Sequence, residues 1–370
     1  MLTTTTRLAR ATATTLLRSR LTRALAFPHD VDRYLELVDP LWAHGEIRAR
    51  LLARNAETDD CATLTLAPNG RWPGIAAGQH VQVGVEIDGL RHTRCFTVSS
   101  SAHRADGCIT LTVKAQPDGR VSRHLVEAAQ PGSVVTLSAP AGQFVLPDER
   151  PRRLLLITGG SGITPAMAML RTLIDEGHDG EVVFIHYARR YEDLIFGEEL
   201  AGAAARYSWL RLIRVITGEP PRGDDLGDRF STEQLADVLP DWRDYAAYAC
   251  GPAPLIEAVQ THWREQAPNK TLQVEFFQPP RSTGPVSGGR VAFAGSDLAV
   301  TDNGASLLEQ AEAAGLTPEY GCRMGICHSC TCRKTAGRVK NMISGRESGD
   351  GDEEIQPCVS VPVGDVTLSL

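Results

Sequence analysis

The alternation of hydrophobic and polar residues changes along the chain, and each change predicts a different kind of domain. Between about residues 45 and 147, short apolar runs such as 80–85, 108–113 and 134–137 are separated by Gly, Pro and Asp. Runs of this kind are typical of β-strands joined by turns. Their spacing predicts a small β-barrel.

From residue 153 the pattern becomes one of buried strands that alternate with helices. An apolar run at 154–157 leads into a glycine-rich turn and a helix-like stretch that ends at about Glu176, and a second apolar run follows at 182–185. This order predicts βαβ units on a parallel sheet. The uncharged stretch 154–170 has 17 residues and contains Gly and Pro. A spanning helix needs about 20 predominantly apolar residues, so we predict no transmembrane segment.

The two ends of the chain differ from this central region. Residues 1–29 are rich in Thr and Arg, with five arginines and no acidic residue. Such a segment is typical of a transit peptide or a basic amphipathic helix, and the alternative is a helix packed on the main body or a frayed extension. Residues 279–289 are rich in Pro, Gly and Ser and predict a linker. A third domain therefore begins near Arg290.

Composition and charge narrow the function. The 370 residues are 42% hydrophobic and 22% charged, with a net charge of −7, which excludes a disordered protein. Residues 1–29 carry a charge of +5, whereas residues 290–370 carry a charge of −4. No broad basic face remains, so we expect no nucleic-acid partner.

The cysteines indicate a metal centre. Five of the nine lie in the last 49 residues; their clustering, the odd total and the absence of a secretory signal argue for a metal site in a reducing compartment rather than a disulfide framework. Cys322, Cys327, Cys330 and Cys358 have the C-x4-C-x2-C…C spacing of plant-type [2Fe–2S] centres. The alternative is a zinc site, which usually pairs its cysteines in two short clips. We interpret Cys332 as a spare buried thiol beside the cluster.

Three short motifs in the first two domains indicate binding of dinucleotides. Residues 158–165, Thr-Gly-Gly-Ser-Gly-Ile-Thr-Pro, follow a predicted strand and open a helix. The glycines allow the backbone to approach a pyrophosphate at the helix N-terminus. The segment 250–252, Cys-Gly-Pro, closes a later strand, and the segment 94–97, Arg-Cys-Phe-Thr, lies in the predicted barrel.

Together these motifs resemble the ferredoxin–NADP reductase superfamily, and residues 290–370 resemble a plant-type ferredoxin. The two resemblances cover most of the chain and imply a multidomain α/β and all-β protein. Its expected parts are an N-terminal basic helical extension (1–44), a six-stranded antiparallel FAD-binding β-barrel (45–150), a Rossmann-like nicotinamide-binding α/β domain (151–280), a linker (281–289) and a C-terminal β-grasp ferredoxin domain (290–370).

The resemblance also implies roles for individual residues. Arg94 would bind the flavin pyrophosphate, Phe96 replaces a family tyrosine against the flavin ring, and Thr97 replaces a serine whose hydroxyl reaches the flavin N5 edge. Cys250 would lie beside the nicotinamide C4 unless it is a buried structural thiol, and we take Thr97 and Cys250 as catalytic. The implied cofactor-binding residues are Arg94, Cys95, Phe96, Thr97, Val113, Gly119, Val121, Ser122, Gly159, Gly160, Gly162, Thr164, Pro165, Arg189, Arg190, Cys250, Gly251, Pro252 and Phe277, and the cluster ligands are Cys322, Cys327, Cys330 and Cys358.

Other residues bear on the identity of the cofactors. Phe277 or Phe276 would shield the flavin ring, and the alternative for either is core packing. Arg189 and Arg190 follow the second strand of the α/β domain without an immediate acidic residue to accept a ribose 2′-OH, which favours NADPH over NADH. The turn 119–122 resembles FAD-binding more than FMN-binding members of the family.

A nicotinamide donates two electrons and a [2Fe–2S] cluster accepts one, so a flavin between them is required. We predict electron transfer from NADPH to FAD, to the cluster and then to a protein acceptor. The domain order resembles reductases of membrane-bound acyl-CoA desaturases, which would place a cytoplasmic protein at the membrane surface through residues 1–29. The alternatives are the reductase of a soluble ring-hydroxylating or diiron oxygenase, and a redox-sensing iron–sulfur flavoprotein.

The third domain also contains a run of acidic residues. This run would steer a basic partner or form a solvated loop, and its members are Glu347, Asp350, Asp352, Glu353 and Glu354.

Overall fold

The computed structural model describes residues 31–43, 45–117, 119–277, 286–321, 323, 325 and 328–370. Two of the predicted cluster ligands, Cys322 and Cys327, lie outside the described residues, as do residues 1–30 and residues 281–285 of the predicted linker. The described part of the N-terminal extension forms helix α1 (Val31–Glu36) and a 3-10 turn (Pro40–Trp42).

The first sheet is a six-stranded antiparallel barrel. A bridge between Val98 and Leu111 joins the two outermost strands, β4 and β5, and closes it. Alternate side chains, such as Leu64 and Leu66, point into one core, which is the two-residue period that predicted strands here. In the order β4-β3-β6-β1-β2-β5, the strands are β1 (Ile47–Thr58), β2 (Cys61–Pro68), β3 (His80–Ile87), β4 (Leu90–Thr97), β5 (Ile109–Lys114) and β6 (Val134–Leu137).

A short helical segment follows β5 and packs onto the barrel. Helix α2 (Arg120–Arg123) continues into a π-helical turn (His124–Ala128). Val121 and Leu125 from this segment are buried in the barrel core. The turn that leads into α2 is thereby held at a fixed place on the barrel rim.

The second sheet is parallel, as the βαβ pattern predicted, with helices α3 (Ile163–Asp175), α4 (Gly197–Arg206), α5 (Thr232–Val238) and α6 (Ala253–Gln266) between its strands. None of the helices in the described ranges is long and apolar enough to cross a membrane. In the order β10-β9-β8-β7-β11-β12, the strands are β7 (Arg153–Gly159), β8 (Glu181–Ala188), β9 (Leu210–Ile216), β10 (Leu226–Gly227), β11 (Ala246–Gly251) and β12 (Leu272–Phe276).

The two faces of the parallel sheet bury different cores. Leu154 and Leu156 face a core that α3 shares with barrel residues such as Phe144, whereas Leu155 and Ile157 face a core on the opposite side. These four side chains of β7 are fully buried. The run is apolar throughout because a central parallel strand is covered on both faces. The shared core fixes the barrel against the sheet.

The third sheet is mixed and has helix α7 (Leu307–Ala313) packed on it through Leu307 and Ala311. Ser306 and Glu309 form a capping box at the start of α7, and Gly315 follows its end with a φ of +90°. The short helix packed on a mixed sheet is the expected β-grasp arrangement. In the order β14-β13-β17-β15-β16, the strands are β13 (Arg290–Phe293), β14 (Leu298–Thr301), β15 (Cys332–Asn341), β16 (Glu353–Ile355) and β17 (Ser360–Leu368).

Candidate cofactor site

A large cavity lies where the barrel meets the carboxyl ends of the parallel strands, and its volume is about 1140 Å³. Strand β4, the turn before α2, the turn before α3 and the turn after β11 all contribute to its wall, and Arg323 of the third domain reaches it as well. In open α/β sheets, ligands bind outside the carboxyl ends of the strands. The cavity is therefore the candidate site.

The barrel contributes the end of β4 to this site. Arg94, Cys95, Phe96 and Thr97 all line the cavity. Thr97 is buried, whereas Arg94 is exposed and its Nη1 donates a hydrogen bond to the carbonyl of Thr93 at 2.8 Å. An exposed guanidinium in the wall suits a phosphate, because it offers several donors in one plane.

The turn before α2 is held together by Ser122. Its Oγ donates to the carbonyl of Gly119 at 3.1 Å and accepts from the N–H of Gln116 at 3.1 Å. A Cβ at Gly119 would lie 2.3 Å from the same oxygen, so the turn needs glycine at this position. Gly119, Val121 and Ser122 all line the cavity.

The opposite wall is the glycine-rich turn between β7 and α3. Gly160 has a φ of +53°, in the left-handed region that favours glycine. A Cβ at Gly162 would lie 2.3 Å from the carbonyl oxygen of Cys250, so this turn and the turn after β11 meet through their backbones. The predicted residues that line the cavity here are Gly159, Gly160, Gly162, Thr164, Gly251 and Pro252.

Among the described residues that the sequence predicts for this site, three lie behind the wall rather than in it. Val113 packs in the barrel core, Pro165 is buried in the first turn of α3, and Cys250 is fully buried. Their side chains support the residues that line the cavity. The nicotinamide contact predicted for Cys250 stays a prediction.

The sequence analysis gave no role to two titratable side chains here, Glu275 beside Cys250 and His80 beside Glu275. Glu275 is the register partner of Cys250 on the neighbouring strand β12. Burial raises the pKa of Glu275 to about 8, and burial, with the Glu275 carboxyl beside it, raises the pKa of Cys250 well above the ordinary thiol value. His80 lines the cavity, and its Nδ1 lies 3.9 Å from Glu275 Oε1. No local sequence signal links His80 to Glu275, because they belong to different domains.

The far end of the cavity is rich in charged side chains. Arg189 and Arg190 line it as predicted, but Arg190 is ion-paired with Glu192 and Asp193. Asp193 also lines the cavity, as does the exposed Arg229 from the loop after β10. The sequence prediction did not include Asp193, because it considered only an acidic residue directly after the two arginines. It did not include Arg229, because that residue lies in a segment without a recognised motif.

The two candidate flavin-shielding aromatic residues have different surroundings. Phe277 lines the cavity just beyond the end of β12. Phe276 is buried in the core on the far face of the parallel sheet. Of the two, only Phe277 is placed to contact a ligand in the cavity.

Two of the predicted cluster ligands, Cys330 and Cys358, are described, and they lie side by side in the third domain. The Sγ atoms of Cys330 and Cys358 lie 3.2 Å apart, and both residues are buried. Two thiolates on one tetrahedral ion lie about 3.8 Å apart when each bond is about 2.3 Å, so this pair is closer than two such ligands and near enough to bind one ion after a small separation. Cys332 is half-buried and packs in the core of the third sheet; burial raises its pKa to about 12, with a smaller contribution from Cys330.

Arg323 carries the third domain into the cavity wall. Its guanidinium forms an ion pair with Glu312 of α7 and lies over the ring of Tyr320, 3.9 Å from the ring centroid. Burial lowers the pKa of Arg323, but the hydrogen bonds that its guanidinium donates to Glu312 and Tyr320 outweigh this effect and raise the pKa. A cation that belongs to the cluster domain thus forms part of the site built by the other two.

The acidic run of the third domain is closely associated with basic side chains. Lys334 is fully buried, and its Nζ donates to the carbonyl of Gly349 at 3.0 Å. Much of the expected acidic surface is therefore charge-balanced. The ion pairs are Arg338 with Glu347 and Asp350, Arg333 with Asp352, and Lys334 with Glu353.

Family profiles match three successive segments of the chain. Residues 49–146 match an oxidoreductase FAD-binding domain, residues 156–261 match an oxidoreductase NAD-binding domain, and residues 292–363 match a 2Fe-2S iron-sulfur cluster binding domain. The chain therefore binds FAD, a pyridine nucleotide and a [2Fe–2S] cluster. The predicted cluster is confirmed over the zinc alternative.

Whole-chain relatives support the same conclusion. An NADPH oxidoreductase of Mycobacterium tuberculosis is 37% identical over 344 residues, which are 92% of this chain and 88% of the relative. A glycine betaine monooxygenase reductase subunit of Pseudomonas aeruginosa is 30% identical over 358 residues, 88% of this chain and 96% of the relative. The predicted NAD(P)H-dependent oxidoreductase activity is confirmed.

A solved structure shares the whole domain arrangement. Phthalate dioxygenase reductase, described as a modular structure for electron transfer from pyridine nucleotides to [2Fe–2S], aligns with a TM-score of 0.61 at 23% identity. The alignment covers 88% of this chain and 98% of that one. It confirms the predicted fold of barrel, parallel-sheet domain and β-grasp domain.

Proposed function

The chain belongs to the ferredoxin–NADP reductase family with a C-terminal 2Fe–2S domain, and we propose that it is the NADPH-dependent reductase component of an oxygenase system. In this proposal, electrons pass from NADPH through FAD to the cluster and then to an oxygenase protein. The monooxygenase reductase subunit among its relatives supports this acceptor class more directly than a desaturase.

One observation carries the proposal. The cavity of about 1140 Å³ is lined by the β4 residues of the barrel, by the glycine turn of the parallel-sheet domain and by Arg323 of the cluster domain. Electron transfer between a nicotinamide, a flavin and a cluster requires all three to approach one another. Residues of the flavin, nucleotide and cluster domains all contribute to the wall of this one cavity.

Each wall supplies different chemistry. Bound FAD supplies the exchange between a two-electron donor and a one-electron acceptor. Arg94 would hold the pyrophosphate of FAD, the buried hydroxyl of Thr97 would face the ring edge, and Phe277 would cover the ring. The glycine turn before α3 presents backbone N–H groups to the nucleotide phosphates. Burial favours the uncharged forms of Cys250 and Glu275, which would keep charge away from a nicotinamide beside them.

The choice of NADPH rests on the far end of the cavity. Arg189 and Arg229 line it and are exposed, and a 2′-phosphate requires such cations. Asp193 is the residue that would accept the 2′-OH of NADH, but it is ion-paired with Arg190. This arrangement favours NADPH.

A second candidate acceptor is a membrane-bound acyl-CoA desaturase. It is favoured by a group of exposed apolar side chains that follows the basic residues 1–29, which would bring the protein to a membrane surface. Sedimentation with vesicles of anionic phospholipid tests the membrane contact. Binding that is lost in Leu37→Asp would support this candidate acceptor, and absence of binding would argue against it. The exposed side chains are Tyr34, Leu37, Val38, Trp42 and Leu52.

An anaerobic titration tests the electron path itself. NADPH should bleach the flavin absorbance and then produce the EPR signal of a reduced [2Fe–2S] cluster, and NADH should require a higher concentration for the same result. Bleaching of the flavin without a cluster signal would contradict the proposed path. The redox-sensing alternative instead predicts slow or absent reduction of external acceptors by NADPH.

A further inference from the structure

A side-chain hydrogen bond joins the described part of the cluster-binding loop to the barrel. Gln82 of β3 donates from its Nε2 to the Oγ of Ser329 at 3.3 Å. The two residues are 247 positions apart in the sequence, and both are partly buried. This bond joins the FAD-binding domain to the domain that holds the cluster.

On the barrel side, Gln82 lies next to the flavin-binding strand. Its register partner is Cys95 of β4, which lines the cavity between Arg94 and Phe96. The backbone of Gln82 is fixed by Ser138, whose Oγ accepts from the Gln82 N–H at 2.9 Å and whose N–H donates to the Gln82 carbonyl at 2.9 Å. The side chain therefore projects from a rigid site.

On the cluster side, Ser329 lies immediately before Cys330. Cys330 is buried, and its Sγ lies 3.2 Å from that of Cys358. The path from the cavity wall to the predicted cluster ligand thus runs through Cys95, Gln82, Ser329 and Cys330. The Gln82–Ser329 hydrogen bond is the link that crosses between domains.

Two further contacts hold the cluster domain in the same place. Ile343 packs both against the core around Cys330 and Cys358 and against the core of the parallel-sheet domain. Arg323 lines the cavity while its guanidinium is held by Glu312. Apolar packing carries little orientational preference, whereas a hydrogen bond weakens steeply with misalignment, so the Gln82–Ser329 bond fixes the orientation of the docked loop.

We propose that Gln82 and Ser329 are positioning residues that hold the cluster loop against the flavin-binding strand and so set the rate of electron transfer between the two cofactors. The inference rests on the proposed function. The step moves one electron from the reduced flavin to one ferric ion of the cluster, and it is repeated with the second electron of NADPH once the cluster has passed the first electron to its protein acceptor. Neither side chain takes part in hydride transfer from NADPH, because Gln82 and Ser329 do not line the described cavity.

The test is anaerobic stopped-flow reduction of the holoprotein by NADPH, with flavin and cluster absorbance followed separately. Gln82→Met keeps the side-chain volume but removes the donor. We expect an unchanged rate of flavin reduction and cluster reduction about fivefold slower, the factor given by loss of one hydrogen bond worth about 1 kcal/mol. Gln130→Met, at an exposed position on the barrel, is the matched control and should leave both rates unchanged.

A double-mutant cycle separates positioning from general damage. Ser329→Ala should slow cluster reduction by the same factor, Ser329→Thr should restore the rate, and Gln82→Met with Ser329→Ala should be no slower than either single variant. Midpoint potentials from EPR titration should be unchanged in Gln82→Met, so that a slower rate reports geometry. If Ser329→Ala loses its cluster, Gln82→Met alone decides the question.

An unchanged rate of cluster reduction in Gln82→Met would overturn the inference. A double variant that slows cluster reduction by the product of the two single-variant factors would overturn it as well. Failure of the proposed function has a different signature. In that case the wild-type protein itself would reduce its flavin and leave the cluster oxidised.

Discussion

The imidazole of His80 and the carboxyl of Glu275 face each other across the boundary between the barrel and the parallel sheet. Their nearest polar atoms, Nδ1 and Oε1, lie 3.9 Å apart, and both side chains are less than 5% exposed. The carboxyl is the register neighbour of Cys250. Protonation of this carboxyl therefore affects both the domain boundary and the surroundings of Cys250.

We expect the stability of the protein to fall as the pH rises through the neutral range, because of Glu275. Burial raises the pKa of Glu275 to about 8, so the folded state keeps a proton that the unfolded state releases near pH 4.5. The free energy of unfolding should decrease between these two pH values, by at most about 5 kcal/mol, and level off above pH 8. Glu275→Gln should flatten this part of the pH profile of Tm. Glu257→Gln, at an exposed site on α6, should leave the profile unchanged.

Substitution of the cavity arginines should change the selectivity for the nucleotide. Arg189→Ala and Arg229→Ala should each raise the KM for NADPH about 10- to 100-fold, because each loses a charge-assisted hydrogen bond to phosphate worth about 1.5–3 kcal/mol. The KM for NADH should change little. Arg190→Ala is the control, since its guanidinium is already paired with Asp193 and Glu192. An equally large effect of Arg190→Ala would show that this assignment of the phosphate site is wrong.

Loss of one cluster ligand should separate the two halves of the electron path. Cys358→Ser should lose the iron, the sulfide and the EPR signal of the cluster, because its thiolate is one of a buried pair 3.2 Å apart. Reduction of the flavin by NADPH should continue at the wild-type rate. Cys332→Ser should keep the cluster, since Cys332 packs in the core of the third sheet. Loss of the cluster in Cys332→Ser would mean that the four ligands are wrongly assigned.

A methyl group at Gly162 should damage the nucleotide site. Its φ of −64° suits any residue, but a Cβ would lie 2.3 Å from the carbonyl oxygen of Cys250. Gly162→Ala should cost about 1–3 kcal/mol of stability through this overpacking and raise the KM for NADPH. Gly202→Ala, in α4 where a Cβ meets nothing within 4 Å, should instead stabilise the protein by about 0.5–1 kcal/mol. Denaturant unfolding of the two variants measures the difference.

The fold was predictable because its signals are local. The run 154–157 is apolar throughout because β7 is covered on both faces, and the residues that flank Gly160 show a strand and a helix in the correct order. The domain limits and the roles of individual site residues stay predictions. The limits depend on contacts at the domain boundaries, and the roles of the residues depend on how the bound cofactors lie.

The residues that sequence reasoning missed have no local signal. Gln82 and Ser329 meet across 247 positions, and His80 meets Glu275 across a domain boundary. Arg229 and Arg323 reach the cavity from loops that surround no dinucleotide motif. A single sequence shows what each segment prefers, but it does not show which surfaces of different domains come into contact.

The pairing of acids with Arg333, Lys334 and Arg338 has a consequence for how a partner is chosen. Opposite charges that lie within a few ångströms of each other cancel at a distance. The segment from β15 to β16, which carries these ion pairs, therefore produces little electrostatic potential beyond about 10 Å at moderate salt. A redox partner would then be attracted weakly during approach and selected by its fit after collision. Turnover with the true partner should consequently depend little on ionic strength, so partner specificity would reside in surface shape.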